Sequence, residues 1–284
     1  MQPPLLRFLP VMRLPIRHIV LLAVLASAPA PLRGQQFLGF GDAISEADML
    51  YMAGETRLSL ERLQERLETD SLDYGALWRA SRAAVVIGIE EEDNREQNQW
   101  LDPALNWATR AAEVRPGEVD GLYWRGVSSG RRALNAGPSY AVDLAQQVYD
   151  DAHAILAQDS VHGGAHNMLG KLNYEVMSMS RVKRLVARTF MDKPSLDDTS
   201  WEQAEYHLVR AAEVWPDFVL FHFDVAQLYK KRGRREEAVV AYQRALSLPS
   251  VHPTDHKLQR QAEEALSEWG VTPDSASSTG ANRP

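Results

Sequence analysis

A seven-residue segment that occurs twice constrains the fold of this chain more than any other feature. RAAEVRP at 110–116 recurs as RAAEVWP at 210–216, and a shorter relative, RALSLP, occupies 244–249. In each copy small residues let a neighbouring helix approach closely, and the proline then ends the helix. Because internal repetition is typical of solenoid proteins, this pattern predicts stacked helical units.

The remaining hydrophobic pattern also indicates helices. Leu60, Leu63 and Leu67 recur at helical spacing among Glu and Arg, and Gly or Pro separates successive apolar stretches. Alternating Val, Ile and Thr patterns typical of strands are absent from the sequence. We therefore predict an all-α fold, an antiparallel helix-pair solenoid of about four units with helical caps.

The last unit, at about 219–252, resembles a tetratricopeptide repeat. Its pattern places alanines where a paired helix needs holes, and tyrosines where it needs side chains to fill them. His222 stands where this repeat usually has Trp. The matching residues are His222, Val225, Ala226, Tyr229, Gly233, Ala238, Tyr242 and Ala245.

Three earlier units match in part, and an insert of roughly twenty residues interrupts the third. We predict repeats over 74–252, a capping helix in 35–73, a second one in 253–269 and a disordered tail at 270–284. The matching residues are Ala80, Ala104, Ala111 and Pro116 in the first unit, Leu122, Gly126, Ala145, Tyr149 and Ala152 in the second, and His166, Leu169, Gly170, Ala204, Leu208, Ala211 and Pro216 in the third.

The order of these features resembles the regulator of microtubule dynamics family of tetratricopeptide proteins. The resemblance rests on LWRASR at 77–82, the helix at 104–112, the insert RVKRLV at 181–186 and the helix with Ala204 and Ala211. It implies a helical interaction module. Microtubule association is implied only for animal members, so we carry over the fold and not the partner.

Residues 1–34 read as a signal peptide or an N-terminal anchor. Basic residues precede the apolar run IVLLAVLASA at 19–28, which is too short to span a bilayer comfortably and ends in the small-x-small pattern Ala26-Ser27-Ala28. Pro29 follows, and proline there hinders signal peptidase, so removal of this segment stays open. We expect an extracytoplasmic protein, periplasmic or secreted.

Composition excludes several functions. The net charge is −7, and four of the arginines lie in residues 1–34, so the remainder is more acidic still and unsuited to nucleic acid. The chain has no cysteine, hence no disulfide or thiolate site. Catalytic motifs such as a nucleophile elbow or a phosphate-binding loop are absent, and we expect a non-catalytic protein without cofactors.

One alternative is a metal-dependent hydrolase. His162 and His166 have the i,i+4 spacing that metal sites use. A zinc site also needs a third ligand, which the spacing does not supply. Histidines that cap or fill the core are the preferred interpretation.

A protein or peptide partner of unknown identity is the expected ligand. The concave face of a solenoid is the usual binding surface, and aromatic anchors beside Arg and Lys suit an extended peptide or an acidic terminus. Trp78, Trp107, Trp124 and Trp201 are interpreted as packing residues. The predicted groove residues are Tyr123, Arg131, Asn167, Lys171, Tyr174, Phe223, Gln227, Lys230 and Lys231.

The insert at 181–190 is a second candidate surface. Its apolar residues fall on one side of a helix and its basic residues on the other. Such a segment either packs on the solenoid or contacts an acidic partner or a membrane surface, and the membrane contact gives a further reading as a membrane-surface scaffold. The basic residues are Arg181, Lys183, Arg184 and Arg188.

Overall fold

A computed structural model describes residues 46–180 and 199–271, and within them every regular element is a helix. This confirms the predicted all-helical fold. The helices are α1 (Glu46–Met52), α2 (Thr56–Thr69), α3 (Tyr74–Glu90), α4 (Asn94–Val114), α5 (Val119–Ala133), α6 (Pro138–Gln158), α7 (Gly163–Ser178), α8 (Trp201–Val214), α9 (Val219–Lys231), α10 (Arg235–Ser247) and α11 (Asp255–Glu268).

The helices pack as four pairs in sequence order. The most extensive contacts are α3 with α4, α5 with α6, α7 with α8, and α9 with α10. The first helix of each pair also contacts the first helix of the next. In three of the four pairs a connection of three or four residues joins the helices, which makes them antiparallel neighbours, whereas residues 179–200 separate α7 from α8. The pairs stack into the predicted solenoid.

Local sequence explains where the helices begin and end. Asp73, Asp93 and Ser200 each precede a helix, and their side chains accept hydrogen bonds from backbone N–H groups in the first turn at 2.8–3.2 Å. These caps satisfy donors that the helix leaves unpaired. At the other end, α4 and α8 stop two residues before Pro116 and Pro216, as the repeated segment predicts.

The repeated segment brings helices close together. Ala111 and Ala211 are fully buried, and a Cβ added at Gly121 of α5 would lie 3.1 Å from the backbone nitrogen of Ala112. The residue before each proline packs on the start of its own pair. Arg115 lies over the Tyr74 ring at 4.9 Å, and its counterpart Trp215 contacts the His162 ring at 4.8 Å.

The last pair packs as a tetratricopeptide repeat. Ala226, Ala238 and Ala245 are completely buried, and so is Tyr242 between them. Gly233 adopts a φ of +73° in the turn between α9 and α10, a conformation that favours glycine. The predicted division of small and large residues is therefore present in three dimensions.

A buried ionic cluster joins α1 to α3. Arg79 Nε and Arg82 Nη2 donate to the two carboxylate oxygens of Asp48 at 2.8 and 2.5 Å, and all three side chains are at most 8% exposed. The Arg82 guanidinium also stacks on the Tyr51 ring at 3.9 Å. A charge pair this deeply buried depends on both partners, since removing one leaves the other desolvated.

The C-terminal helix α11 reaches back to the first pair. Lys257 Nζ donates to the carbonyl oxygen of Ile89, at the end of α3, at 2.7 Å. Asp255, which is 2% exposed, accepts hydrogen bonds from the backbone nitrogens of Val251 and His252 at 2.9 and 2.8 Å. A hydrogen bond therefore links the last described helix to the first helix pair.

Candidate binding groove

An open groove of about 770 Å³ lies between α5, α6 and α7, with α9 contributing to its floor. Its size is in the range of sites that bind ligands or short peptide segments. Most of the lining is apolar. The apolar lining residues are Val127, Leu134, Val142, Val148, Met168, Leu172, Val176, Met179 and Leu220, together with Gly126, Gly130, Ala133, Ala136, Ala141 and Ala145.

Small residues open this groove. Gly126 and Gly130 of α5 and Ala141 and Ala145 of α6 carry little or no side chain where the two helices face α7. At Gly126 the space is taken by Met168, whose Cε would lie 2.5 Å from an added Cβ. Gly130, one turn further along α5, also lines the groove, and its added Cβ would meet only Val148 Cγ2 at 3.6 Å.

The mouth of the groove exposes apolar side chains to solvent. Leu134 is 57% exposed and Met179 is 42% exposed, and both line the groove. Tyr140, at the start of α6, is 44% exposed nearby in sequence. Contiguous exposed apolar groups of this kind mark interaction surfaces more often than isolated ones do.

Polar groups gather on the side of the groove formed by α7 and α9. Asp224 is 4% exposed, forms an ion pair with Lys171 Nζ at 3.1 Å and accepts a hydrogen bond from Asn167 Nδ2 at 2.9 Å. Lys171 also lies 3.9 Å from Glu175 on the next turn of α7. The lysine charge is therefore compensated by two carboxylates, and Asp224 is held rigidly.

Arg131, at the end of α5, differs from these groups. Its half-buried side chain lines the groove, yet within residues 46–180 and 199–271 it makes no hydrogen bond or ion pair. Burial raises the pKa of the neighbouring Tyr123 hydroxyl, and the Arg131 charge acts in the opposite direction. The guanidinium therefore lies close enough to the groove floor to affect its electrostatics.

The structure brings four of the nine predicted groove residues together. Tyr123, Arg131, Asn167 and Lys171 line the groove, although Tyr123 itself is only 6% exposed. Lys171 also lies over the ring of Tyr174 at 5.0 Å. A binding role for these residues stays a prediction, and their proximity makes it testable.

The remaining predicted residues lie apart from the groove. Phe223 is 7% exposed and packs edge-on against Tyr242, so it belongs to the core of the last pair. Lys230 pairs with Glu268 at 3.0 Å, Lys231 is exposed and Gln227 is half-buried. This part of α9 therefore packs against α10 and α11 and does not line the groove.

Sequence reasoning missed the contribution of α6. Ala141, Val142, Ala145 and Val148 form one wall, but they belong to the second helix of a pair, and the repeat pattern directs attention to first helices. The available signal was the run of small and β-branched residues at helical spacing, which equally suits a buried core face.

The tryptophans pack as expected. Trp78 and Trp124 are 2% and 6% exposed, and Trp107 and Trp201 pack against the two hydrophobic clusters. None of these four side chains lines the groove.

The histidine pair of the hydrolase alternative is divided between two structural roles. His162 is the N-cap of α7, where its Nδ1 accepts a hydrogen bond from Ala165 N at 3.0 Å. His166 is buried, and its partner is His207 of α8, with 2.9 Å between the two Nδ1 atoms. The described residues contain no group of three His, Asp or Glu side chains arranged to hold a metal ion.

The tautomers of the second pair follow from geometry. His166 Nε2 lies 3.2 Å from the carbonyl oxygen of Ser160, which only accepts, so Nε2 carries the proton. His166 Nδ1 then accepts the hydrogen bond from His207 Nδ1–H. Burial lowers the pKa of His166, and lowers that of His207 to about 4, so both rings are neutral near pH 7.

The basic insert and both chain termini are not covered by this description. Arg181, Lys183, Arg184 and Arg188, the segment 1–34 and most of the predicted tail lie outside the described residues. Among the helices that are described, none combines the length and apolarity needed to cross a bilayer.

Comparison with known proteins agrees with this architecture. The family Regulator of microtubule dynamics protein 1-3 matches residues 43–270. Regulator of microtubule dynamics protein 3 of Bos taurus is 23% identical over 189 residues, which span 66% of this chain and 40% of the bovine protein. The chain thus matches less than half the length of that relative.

A solved structure shows the same fold. The crystal structure of a thermophilic tetratricopeptide-repeat protein from Thermus thermophilus superimposes with a TM-score of 0.54 at 18% identity. The alignment covers 82% of this chain and 98% of that protein. At this identity the likeness establishes the helical repeat fold alone.

Proposed function

This chain belongs to the Regulator of microtubule dynamics protein 1-3 family, and on that premise we propose that it is a non-catalytic scaffold that binds another protein. The binding site is the groove between α5, α6 and α7, and its ligand is an apolar helical segment of the partner. Binding is reversible docking, with no bond made or broken.

One observation carries this proposal: the groove is open, apolar and bounded by rigid helices. About 770 Å³ of space is lined mainly by aliphatic side chains, while a small number of polar groups sit at one side. Protein grooves that receive an amphipathic helix have this composition, because apolar anchors supply affinity and polar groups fix orientation. The exposed Leu134 and Met179 extend the apolar surface beyond the groove itself.

The enzyme alternative has weaker support. His162 uses its Nδ1 lone pair to cap α7, and His166 is engaged by Ser160 and His207. A catalytic or metal role would require both histidines to leave these contacts. The name of the bovine relative mentions microtubules, and we do not extend that partner to the present chain.

We keep the extracytoplasmic setting as part of the proposal, because the basic start and short apolar run of residues 1–34 are typical of an export signal. Fractionation of cells that express the full chain tests it. Recovery in the periplasm or medium would support export, and recovery in the cytosol would contradict it.

A matched pair of variants on α6 tests the groove. Peptides are selected against the full chain from a random library displayed on phage, and their affinities are measured by fluorescence anisotropy. Ala141→Trp places an indole in the groove, whereas Ala154→Trp makes the same change on an exposed part of α6 that does not line it. Circular dichroism confirms that both variants remain folded.

We expect Ala141→Trp to weaken the selected peptides at least about tenfold and Ala154→Trp to leave them unchanged, because filling a site removes its buried contacts. Equal affinity for both variants would place binding elsewhere on the protein. Failure of the library to yield any binder would argue against a peptide-binding function.

A further inference from the structure

Among the charged side chains that line the groove, Arg131 is the one without an ion-pair partner in the described part of the chain. Lys171 is matched by Asp224 at 3.1 Å and Glu175 at 3.9 Å. Arg131 has no carboxylate within hydrogen-bonding or ion-pair distance among residues 46–180 and 199–271. The charges of the four ionised side chains in the lining cancel, but Arg131 is the one that has no carboxylate in direct contact.

The neighbouring Arg132, also in the last turn of α5, has hydrogen-bond partners within the protein. Its Nε donates to Asp102 of α4 at 2.5 Å, and its Nη1 donates to the carbonyl oxygen of Asn135 at 3.3 Å. Arg132 does not line the groove. Two adjacent arginines thus have different roles: one stabilises the fold, and the other is left facing the site.

From this difference we propose that the groove recognises an amphipathic helix that carries an acidic residue beside its apolar stripe, and that this carboxylate pairs with Arg131. The inference rests on the proposed function and specifies its partner. A carboxylate suits a guanidinium because the two planar groups form charge-assisted hydrogen bonds, which are stronger than neutral ones. A basic ligand residue at the same place would instead meet the like charge of Arg131.

The position of Arg131 also sets the orientation of the ligand. It belongs to the last turn of α5, whereas the Lys171–Asp224 ion pair joins α7 to α9. The acidic residue of the ligand therefore docks beside α5, and its apolar anchors contact the aliphatic lining of α6 and α7.

Defined peptides test the proposal. The probe is a fluorescein-labelled helix of Ala and Gln with a leucine stripe at i, i+3, i+4 and i+7 spacing and one Glu beside the stripe. A second peptide has Lys in place of that Glu, and both are made with the charge at several positions along the stripe. Affinities for the full chain are measured by anisotropy at low and high salt.

Arg131→Gln is the test variant and Arg132→Gln its matched control. In the unmodified chain the best Glu peptide binds about tenfold more tightly than its Lys counterpart, a difference of the size expected for one charge-assisted contact. We expect this preference to disappear in Arg131→Gln and to persist in Arg132→Gln. High salt reduces it in the unmodified chain.

The outcomes separate this inference from the proposed function. Glu and Lys peptides that bind equally, or a preference that survives Arg131→Gln, would contradict the role of Arg131 while leaving groove binding intact. If neither peptide binds, the proposed function itself is wrong.

Discussion

The close approach of α7 and α8 depends on the absence of a side chain at Gly170. A Cβ at this position would lie 2.6 Å from Leu208 Cγ and 2.9 Å from the backbone nitrogen of Leu208. The leucine side chain can rotate away, but the backbone nitrogen moves only if α8 moves. Gly170→Ala therefore forces the two paired helices apart, by a distance on the order of a few tenths of an ångström.

The expected size follows from two opposing effects. Overpacking a core position costs about 1–3 kcal/mol. Replacing glycine by alanine within a helix returns about 1 kcal/mol, because alanine loses less backbone entropy. The two effects leave a net loss of about 0–2 kcal/mol. Because a backbone atom obstructs the added methyl group, we expect Gly170→Ala to fall in the upper half of that range and to lower the free energy of unfolding by about 1–2 kcal/mol.

Gly130 of α5 provides a matched control for the same chemical change. Its added Cβ would lie 3.6 Å from Val148 Cγ2, an ordinary van der Waals contact. Gly130→Ala should therefore stabilise the protein by up to about 1 kcal/mol. Urea denaturation followed by circular dichroism measures both changes, provided that the slopes of the transitions agree. A Gly170→Ala protein as stable as Gly130→Ala would refute the packing argument.

Two further predictions concern buried charge. Asp48→Ala removes the buried carboxylate shared by Arg79 and Arg82 and should lower the free energy of unfolding by about 3–5 kcal/mol. Glu46→Ala on the same helix is the control. It should cost less than about 1 kcal/mol, because the ion pair of Glu46 is exposed. Equal losses in urea denaturation would contradict this. Burial holds the pKa of His207 at about 4, below its ordinary 6.5. Between these pH values the His207 ring is therefore protonated in the unfolded chain and neutral in the native state. The free energy of unfolding therefore falls as the pH drops through this range. His207→Gln should make that dependence on pH weaker, which denaturation at successive pH values measures. An unchanged dependence would exclude His207 as a cause.

The fold was predictable because its signals are local and repeated. Alanine pairs and prolines recur at equivalent places in successive units, and each copy specifies the same helix end and the same close approach. The buried Ala226, Ala238 and Tyr242 follow from the same pattern. Repetition lets several weak signals support one another, which a single helix does not offer.

The groove was only partly predictable because its shape depends on what neighbouring helices leave empty. Arg131 and Lys171 were identified from the exposed side of first helices, and both line the groove. Ala141 and Ala145 were not, since small residues suit a packed face and an open one equally. Each residue of an α-helix is rotated by about 100° around the helix axis from the residue before it. A small error in the face assumed to be exposed is therefore enough to include Phe223, which the structure buries, among the groove residues.

The second limit on prediction from sequence is that side chains contact partners on helices that are distant in the chain. The sequence shows His162 and His166 at metal-binding spacing, but His207, the partner of His166, comes from another helix, 41 residues further along the chain. Nothing in the local pattern relates the two. Likewise, the contact of Lys257 with Ile89 joins residues separated by 168 positions, so it depends on how all the intervening helices stack.

Photo-cross-linking tests most directly whether the groove is the binding site. The photoreactive residue p-benzoylphenylalanine replaces Leu134, which is 57% exposed at the mouth of the groove, or Val240, which is 66% exposed on α10 away from it. Each protein is irradiated with a library-selected peptide at a saturating concentration. We predict a covalent adduct at position 134 and none at position 240. An adduct at 240, or none at 134 while the peptide is bound, would contradict binding in the groove.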